Sequence, residues 1–128
     1  MRTWGITDTG IVREENQDAY AIRVVGPFTV AVVCDGMGGT NGGRMASTIA
    51  VDTYQGQMEL DLQADSTAER VSLISRNAIQ LANDKIRETA GRTPGFEHMG
   101  TTLVSAIARE NTVIVSNIGD SKIGRAHV

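Results

Sequence analysis

The hydrophobic pattern of this chain changes period twice. From Asp18 to Val25 apolar and polar positions alternate, with Tyr20, Ile22 and Val24 on one face, as in a half-buried strand. Residues 28–34 form an almost unbroken apolar run that reads as a buried strand. Gly26 and Pro27 supply the turn between them, so close antiparallel pairing of the two runs is expected. Residues 3–9 are a shorter candidate strand ended by Gly10, and residues 11–17 are polar and irregular. Over residues 43–62 the period lengthens, with Met45, Ile49, Thr53 and Tyr54 at helical spacing. A second helix is expected over residues 66–90, with Ser66 as N-cap and Glu69 three positions later in a capping box. Its core-facing stripe is Val71, Ile74, Ala78, Leu81, Ala82, Lys85 and Ile86. Residues 91–98 read as a loop, and residues 99–108 and 112–118 as strands joined by a turn at Glu110 and Asn111. Strands, two helices and strands again give an α+β layout with helices packed on a mostly antiparallel sheet.

Composition narrows the function classes. At 128 residues the chain is one ordinary domain or part of a larger one. A net charge of −3 without a clustered Lys/Arg stripe gives no footprint for nucleic acid. The single Cys34 excludes an internal disulfide, and its place in the apolar run marks a buried core residue. One cysteine and two distant histidines, His98 and His127, provide no zinc pattern. The first residues lack the apolar core of a signal peptide and no window approaches a membrane span, so a cytoplasmic protein is the simplest expectation.

The candidate chemistry gathers at strand ends. The apolar run from Val30 to Cys34 stops abruptly at Asp35, followed by Gly36, Met37, Gly38 and Gly39. A carboxylate there offers the oxygen ligand that Mg²⁺ and Mn²⁺ prefer, and glycines let backbone atoms approach an ion. Asp18 begins one strand and Asp120 follows another, so three carboxylates can meet at one sheet edge, where a divalent cation would relieve their repulsion. Arg13 lies five residues before Asp18 and is suited to bidentate phosphate binding. Metal and arginine together suggest phosphoryl chemistry. Taken singly, each residue is equally explained as a surface acid, a helix cap or an ion-pair partner. A dinucleotide fold is excluded by spacing, because Asn41 stands where the third glycine would be, and no P-loop lysine is present.

Four stretches in order resemble the metal-dependent protein phosphatases (the PPM, or type-2C, Ser/Thr phosphatases), particularly their bacterial branch. They are Gly10 through Asp18, Asp35 through Gly39 with Gly43, Ala46 and Ser47 behind, Met99 through Leu103, and Gly119 with Asp120 and Ser121. The resemblance implies an antiparallel β-sandwich flanked by helices, the αββα phosphatase fold. It implies that Asp35 bridges two Mn²⁺ or Mg²⁺ ions, with the Gly36 carbonyl completing one coordination sphere, and that Asp120 helps hold a third. Arg13 would bind the substrate phosphate, and Asp18 would orient the attacking water. The implied reaction is hydrolysis of phosphoserine or phosphothreonine in proteins phosphorylated by a Ser/Thr kinase. Departures from the family pattern are Thr40 where a histidine often stands, Arg44 where an acid is frequent, and Lys122 in place of an arginine.

The family domain is about twice this length, near the upper range of ordinary domains. Its later Asp-Gly and Asp-Asn motifs do not occur here. Residues 1–122 are therefore expected to be the N-terminal part of such a domain, poorly active alone. Residues 123–128 do not read as the strand that should follow. ATC-GGA-AGA-GCA-CAC-GTC, a common sequencing-adaptor sequence, translates to this hexapeptide, so a non-native tail is expected. The alternative function is a non-catalytic, phosphatase-like module that binds a phosphoprotein. Metal carboxylates favour the enzyme, since a pure binder has no need of them.

Overall fold

In the computed structural model, which describes residues 18–118 and 120–125, the first two apolar runs pair as the sequence predicts. Strand β1 (Asp18–Val25) and strand β2 (Phe28–Met37) form an antiparallel hairpin from Val25↔Phe28 to Asp18↔Asp35. Gly26 opens its two-residue loop at φ +58°, a conformation glycine adopts without steric cost. The remaining elements are helix α1 (Gly39–Asp61), helix α2 (Ala68–Arg92), β3 (Gly100–Thr101), β4 (Val104–Arg109), β5 (Thr112–Asn117) and β6 (Asp120–Arg125). All six strands join one antiparallel sheet in the order β1-β2-β4-β5-β6, with β3 also paired to β2. The candidate strand over residues 3–9, Arg13 and His127 lie outside the described residues.

Both helices pack on one face of this sheet. Because side chains alternate across a strand, that face receives Ala19, Ala21, Val30, Val32, Cys34, Ile107 and Ile114, all buried. Tyr54, Met58 and Val51 of α1 and Val71, Ile74 and Ala78 of α2 close the core from above. Burial pushes the Cys34 thiol up to about 12, partly offset by a hydrogen bond with Thr101. The opposite face carries Tyr20, Ile22 and Val24, the alternating set seen in the sequence. There Val24, Val33, Val104 and Val115 are 44–63% exposed, so nothing among the described residues covers it.

Several local expectations are corrected. Helix α1 begins at Gly39 rather than residue 43, where Gly42 and the N-cap Gly38 dock against Met99. The N-cap of α2 is Thr67, whose hydroxyl accepts from Arg70 N at 3.1 Å, while Ser66 Oγ accepts from Gln63 N and closes the preceding turn. On α2, Leu81 and Lys85 face solvent, and Ser75 and Ile79 are buried in their place. Ser75 is drawn inward by hydroxyl partners: Tyr54 Oη lies 2.5 Å from Ser75 Oγ and 2.6 Å from Ser105 Oγ, and Ser75 Oγ donates to Ser116 Oγ at 2.9 Å. The single strand expected over residues 99–108 is two, β3 and β4, interrupted at residues 102–103 but in unbroken register against β2. A further strand, β6, pairs with β5 from Asp120 to Arg125, where the sequence pattern gave no strand, and it includes residues 123–125.

Two predictions follow from these local conformations. Glu110 opens the β4–β5 loop at φ +54°, a conformation that strains a residue with a Cβ. Glu110→Gly should relieve that strain and offset glycine's greater unfolded-state entropy, raising stability by about 0.5 kcal/mol and Tm by roughly 2 °C in a thermal melt. Burial raises the Cys34 thiol above its ordinary range, so it is the neutral thiol that the fold favours. Its contribution is therefore complete below pH ~9 and is lost as pH rises towards about 12, because the unfolded chain releases its proton first. Thiol labelling at pH ~9 should run at least about a hundredfold slower in the native chain than in urea.

Candidate functional site

The turn that joins β1 to β2 determines which carboxylates meet. Counting rungs back from Val25↔Phe28 places Asp18 directly opposite Asp35 at the far end of the hairpin. The carbonyl of Asp35 accepts from Thr102 N at 3.0 Å, and its amide donates to Thr102 Oγ1 at 3.1 Å. Both backbone groups of Asp35 thus point away from β1, which makes Asp18 and Asp35 a non-hydrogen-bonded pair. Side chains across such a pair are the closer kind, about 4.5–5.5 Å apart at Cβ, and these two share the helix-free face. Asp35 is exposed and Asp18 is half-buried. Two adjacent carboxylates at a sheet end attract a hard cation.

Gly36 is the next residue along β2, and its backbone points the other way, toward the β1 side. Asp18 is the first described residue of β1, so the Gly36 carbonyl faces the region just before it. This arrangement allows a main-chain oxygen of Gly36 and the carboxylate of Asp35 to address one ion. Helix α1 begins four residues after Asp35 with Gly38 as N-cap and no side-chain cap, leaving first-turn amides to favour negative charge at this end of the sheet.

The glycines after Asp35 serve packing as much as exposure. Gly38 has φ +109°, and a Cβ there would come within 2.6 Å of Met99 Cα. A Cβ on Gly42 would lie 3.3 Å from Met99 Cβ. Only glycine lets the Met99 segment lie this close, and that contact brings Gly100, Thr101 and Thr102 alongside β2.

Asp120 opens β6 in register with Asn117, Val104 and Val33. It therefore stands at the same end of the sheet as Asp18 and Asp35, three strands from β2, or roughly 14 Å at about 4.8 Å per strand. Among the described residues no three His, Cys, Asp or Glu side chains form a cluster able to hold a metal ion. Asp18 and Asp35 are brought together; the backbone of Asp120 lies at the same end of the sheet, three strands from β2. Sequence reasoning gave no role to Thr102, although it lies in a stretch that carried the resemblance. The available signal was a pair of adjacent threonines, Thr101 and Thr102, one strand away from an acidic strand end.

Comparison with known proteins agrees with this geometry. The Protein phosphatase 2C family profile matches residues 11–127. The chain is 34% identical over 117 residues to serine/threonine phosphatase Stp of Listeria monocytogenes, covering 91% of this chain and 46% of that protein. It is 36% identical over 121 residues to protein phosphatase PhpP of Streptococcus pneumoniae, covering 93% and 48%. The crystal structure of Stp1 from Staphylococcus aureus superposes with a TM-score of 0.73 at 30% identity, over 94% of this chain and 50% of that one. The chain therefore spans about half the length of the curated relatives it matches. Its single sheet with one helix layer corresponds to part of their fold, and from the matched residues 11–127 the chain belongs to the protein phosphatase 2C family.

Proposed function

We propose that this chain is the N-terminal part of a metal-dependent protein Ser/Thr phosphatase. The observation that carries the reading is the pairing of Asp18 with Asp35 at the sheet end, beside the turn-forming glycines, within a family match over most of the chain. Family members are metal-dependent phosphatases, and the donor set here suits a hard cation: carboxylate oxygen from Asp35 and main-chain oxygen from Gly36. In this reading those two hold Mn²⁺ or Mg²⁺, Asp18 orients the attacking water by hydrogen bonding, and Asp120 contributes to a further, weaker site. Divalent cations bound there would lower the pKa of water and offset phosphate charge. Arg13 would hold the phosphate of a phosphoserine or phosphothreonine protein, its fork matching two phosphate oxygens.

The exposed apolar face of the sheet supports the same reading. Val24, Val33, Val104 and Val115 form the surface that a second sheet would cover in the αββα sandwich. No helix among the described residues is long and apolar enough to cross a membrane.

Two oxygen donors are few for a hard dication in competition with water. The 128-residue chain should therefore release negligible phosphate from a phosphothreonine peptide in millimolar Mn²⁺, and robust Mn²⁺-dependent release would overturn the assignment of an incomplete site. In a version extended to the length of its relatives, Asp35→Asn should abolish both turnover and Mn²⁺ binding. Arg13→Ala in that background should lower phosphopeptide turnover while Mn²⁺ binding, followed by calorimetry, is unchanged. Loss of both in Arg13→Ala would remove its phosphate role. A non-catalytic binding module would show no Mn²⁺-dependent gain in Tm in either version.

A further inference from the structure

We propose that Thr102 is the positioning residue for Asp35, replacing one rung of the β-ladder with its hydroxyl so that Asp35 is held for a divalent cation. The inference rests on the phosphatase reading above. The register of β3 and β4 against β2 is continuous, with Gly36↔Thr101 and Met37↔Gly100 on one side of the break and Val33↔Val104 on the other. Two rungs are missing between them, and Asp35 and Thr102 occupy the one next to Gly36↔Thr101, with Cys34 and Leu103 at the other. Regular pairing there would have the Asp35 amide donate to the Thr102 carbonyl. That carbonyl instead accepts from Thr101 Oγ1 at 2.8 Å. The Asp35 amide donates to Thr102 Oγ1 at 3.1 Å, while the return bond, Thr102 N to the Asp35 carbonyl, survives at 3.0 Å.

The break therefore falls opposite the residue of β2 whose carboxylate is assigned to metal, and a side chain mends it. Thr101 engages the Cys34 thiol as well, so consecutive threonines of one segment address consecutive residues of β2. The segment has little freedom to shift, because Gly38 seats Met99 too closely for a Cβ to intervene and Gly42 packs tightly against it. A hydroxyl acceptor lets the local strand depart from ideal pairing without leaving the Asp35 amide unpaired. It thereby fixes the orientation of Asp35 and of the following Gly36 carbonyl, the two oxygens required together. An outer group of this kind typically governs metal affinity by about 10–100-fold.

Amide exchange of the ¹⁵N-labelled 128-residue chain, and Mn²⁺ titration of the ¹⁵N-labelled version extended to the length of its relatives, test this. Thr102→Val keeps the shape and removes the acceptor; Thr102→Ser keeps the acceptor. In Thr102→Val the Asp35 amide should exchange about fivefold faster or more, relative to Val33 and the other β2 amides. Thr102→Ser should remain within about twofold of wild type, the margin for a bond retained. A uniform rise along β2, or no change at Asp35, overturns the proposal. In the Mn²⁺ titration, paramagnetic broadening around residues 18, 35 and 36 should require about tenfold more Mn²⁺ in Thr102→Val and return in Thr102→Ser. Lost protection at Asp35 with unchanged Mn²⁺ dependence overturns the positioning role alone. In the extended version, a wild-type chain with a protected Asp35 amide and no localised broadening overturns the metal assignment itself, and the purpose of the clamp with it.

Discussion

The helix layer is held to the sheet by the buried hydroxyl of Tyr54. Its side chain leaves α1, meets Ser75 of α2 and Ser105 of β4, and reaches Ser116 of β5 through Ser75. All four residues are at most 1% exposed, so each hydroxyl depends on the others for its hydrogen bonds. An unmet partner in such a place costs about 1–3 kcal/mol, which couples the two helices and two strands as one unit. The network also requires three serines where a purely apolar core would carry larger groups. Tyr54 fills the space they leave.

That anchoring places α1 directly above the hairpin whose end forms the candidate site. Gln55, adjacent to Tyr54, donates through Nε2 to the carbonyls of Ala21 and Val30, at 3.4 and 3.2 Å, tying α1 to both strands. The chain must leave β2 at Met37 and enter α1 at Gly39, and it does so through Gly38 in a left-handed conformation. Core and site are thus coupled: displacing α1 would move the glycines that seat Met99, and with them the segment bonded to Asp35. The carboxylate pair stands on the helix-free face, at the end where β2, β3 and α1 converge.

The sheet has one face sealed by helices and one face of exposed valines. A chain that folds only half of a sandwich presents this asymmetry, and the relatives are about twice as long. Separation of the two faces explains how Asp35 stays accessible at a strand end whose preceding residue, Cys34, is wholly buried. Alternation alone places the two neighbours in opposite environments.

The strands β1 and β2, their hairpin, the buried cysteine and the opposition of Asp18 to Asp35 were determined by the sequence itself. Alternation, an apolar run and a two-residue turn are local, and once the turn is placed the rungs can be counted. The two helices were legible in the same way from their period, as was the assignment to the phosphatase family from four short stretches in order. Only tertiary structure decided the rest. Residues 39–42 join a helix against the low propensity of their two glycines, with Gly42 and the N-cap Gly38 packed on Met99, and Ser75 turns inward because Tyr54 and Ser116 supply partners distant in sequence. Thr67 rather than Ser66 caps α2, a choice between neighbouring hydroxyls made by the turn that Ser66 closes on Gln63. The bond from Asp35 to Thr102 spans 67 residues, and no local pattern encodes it. It arises because the sheet brings the two together.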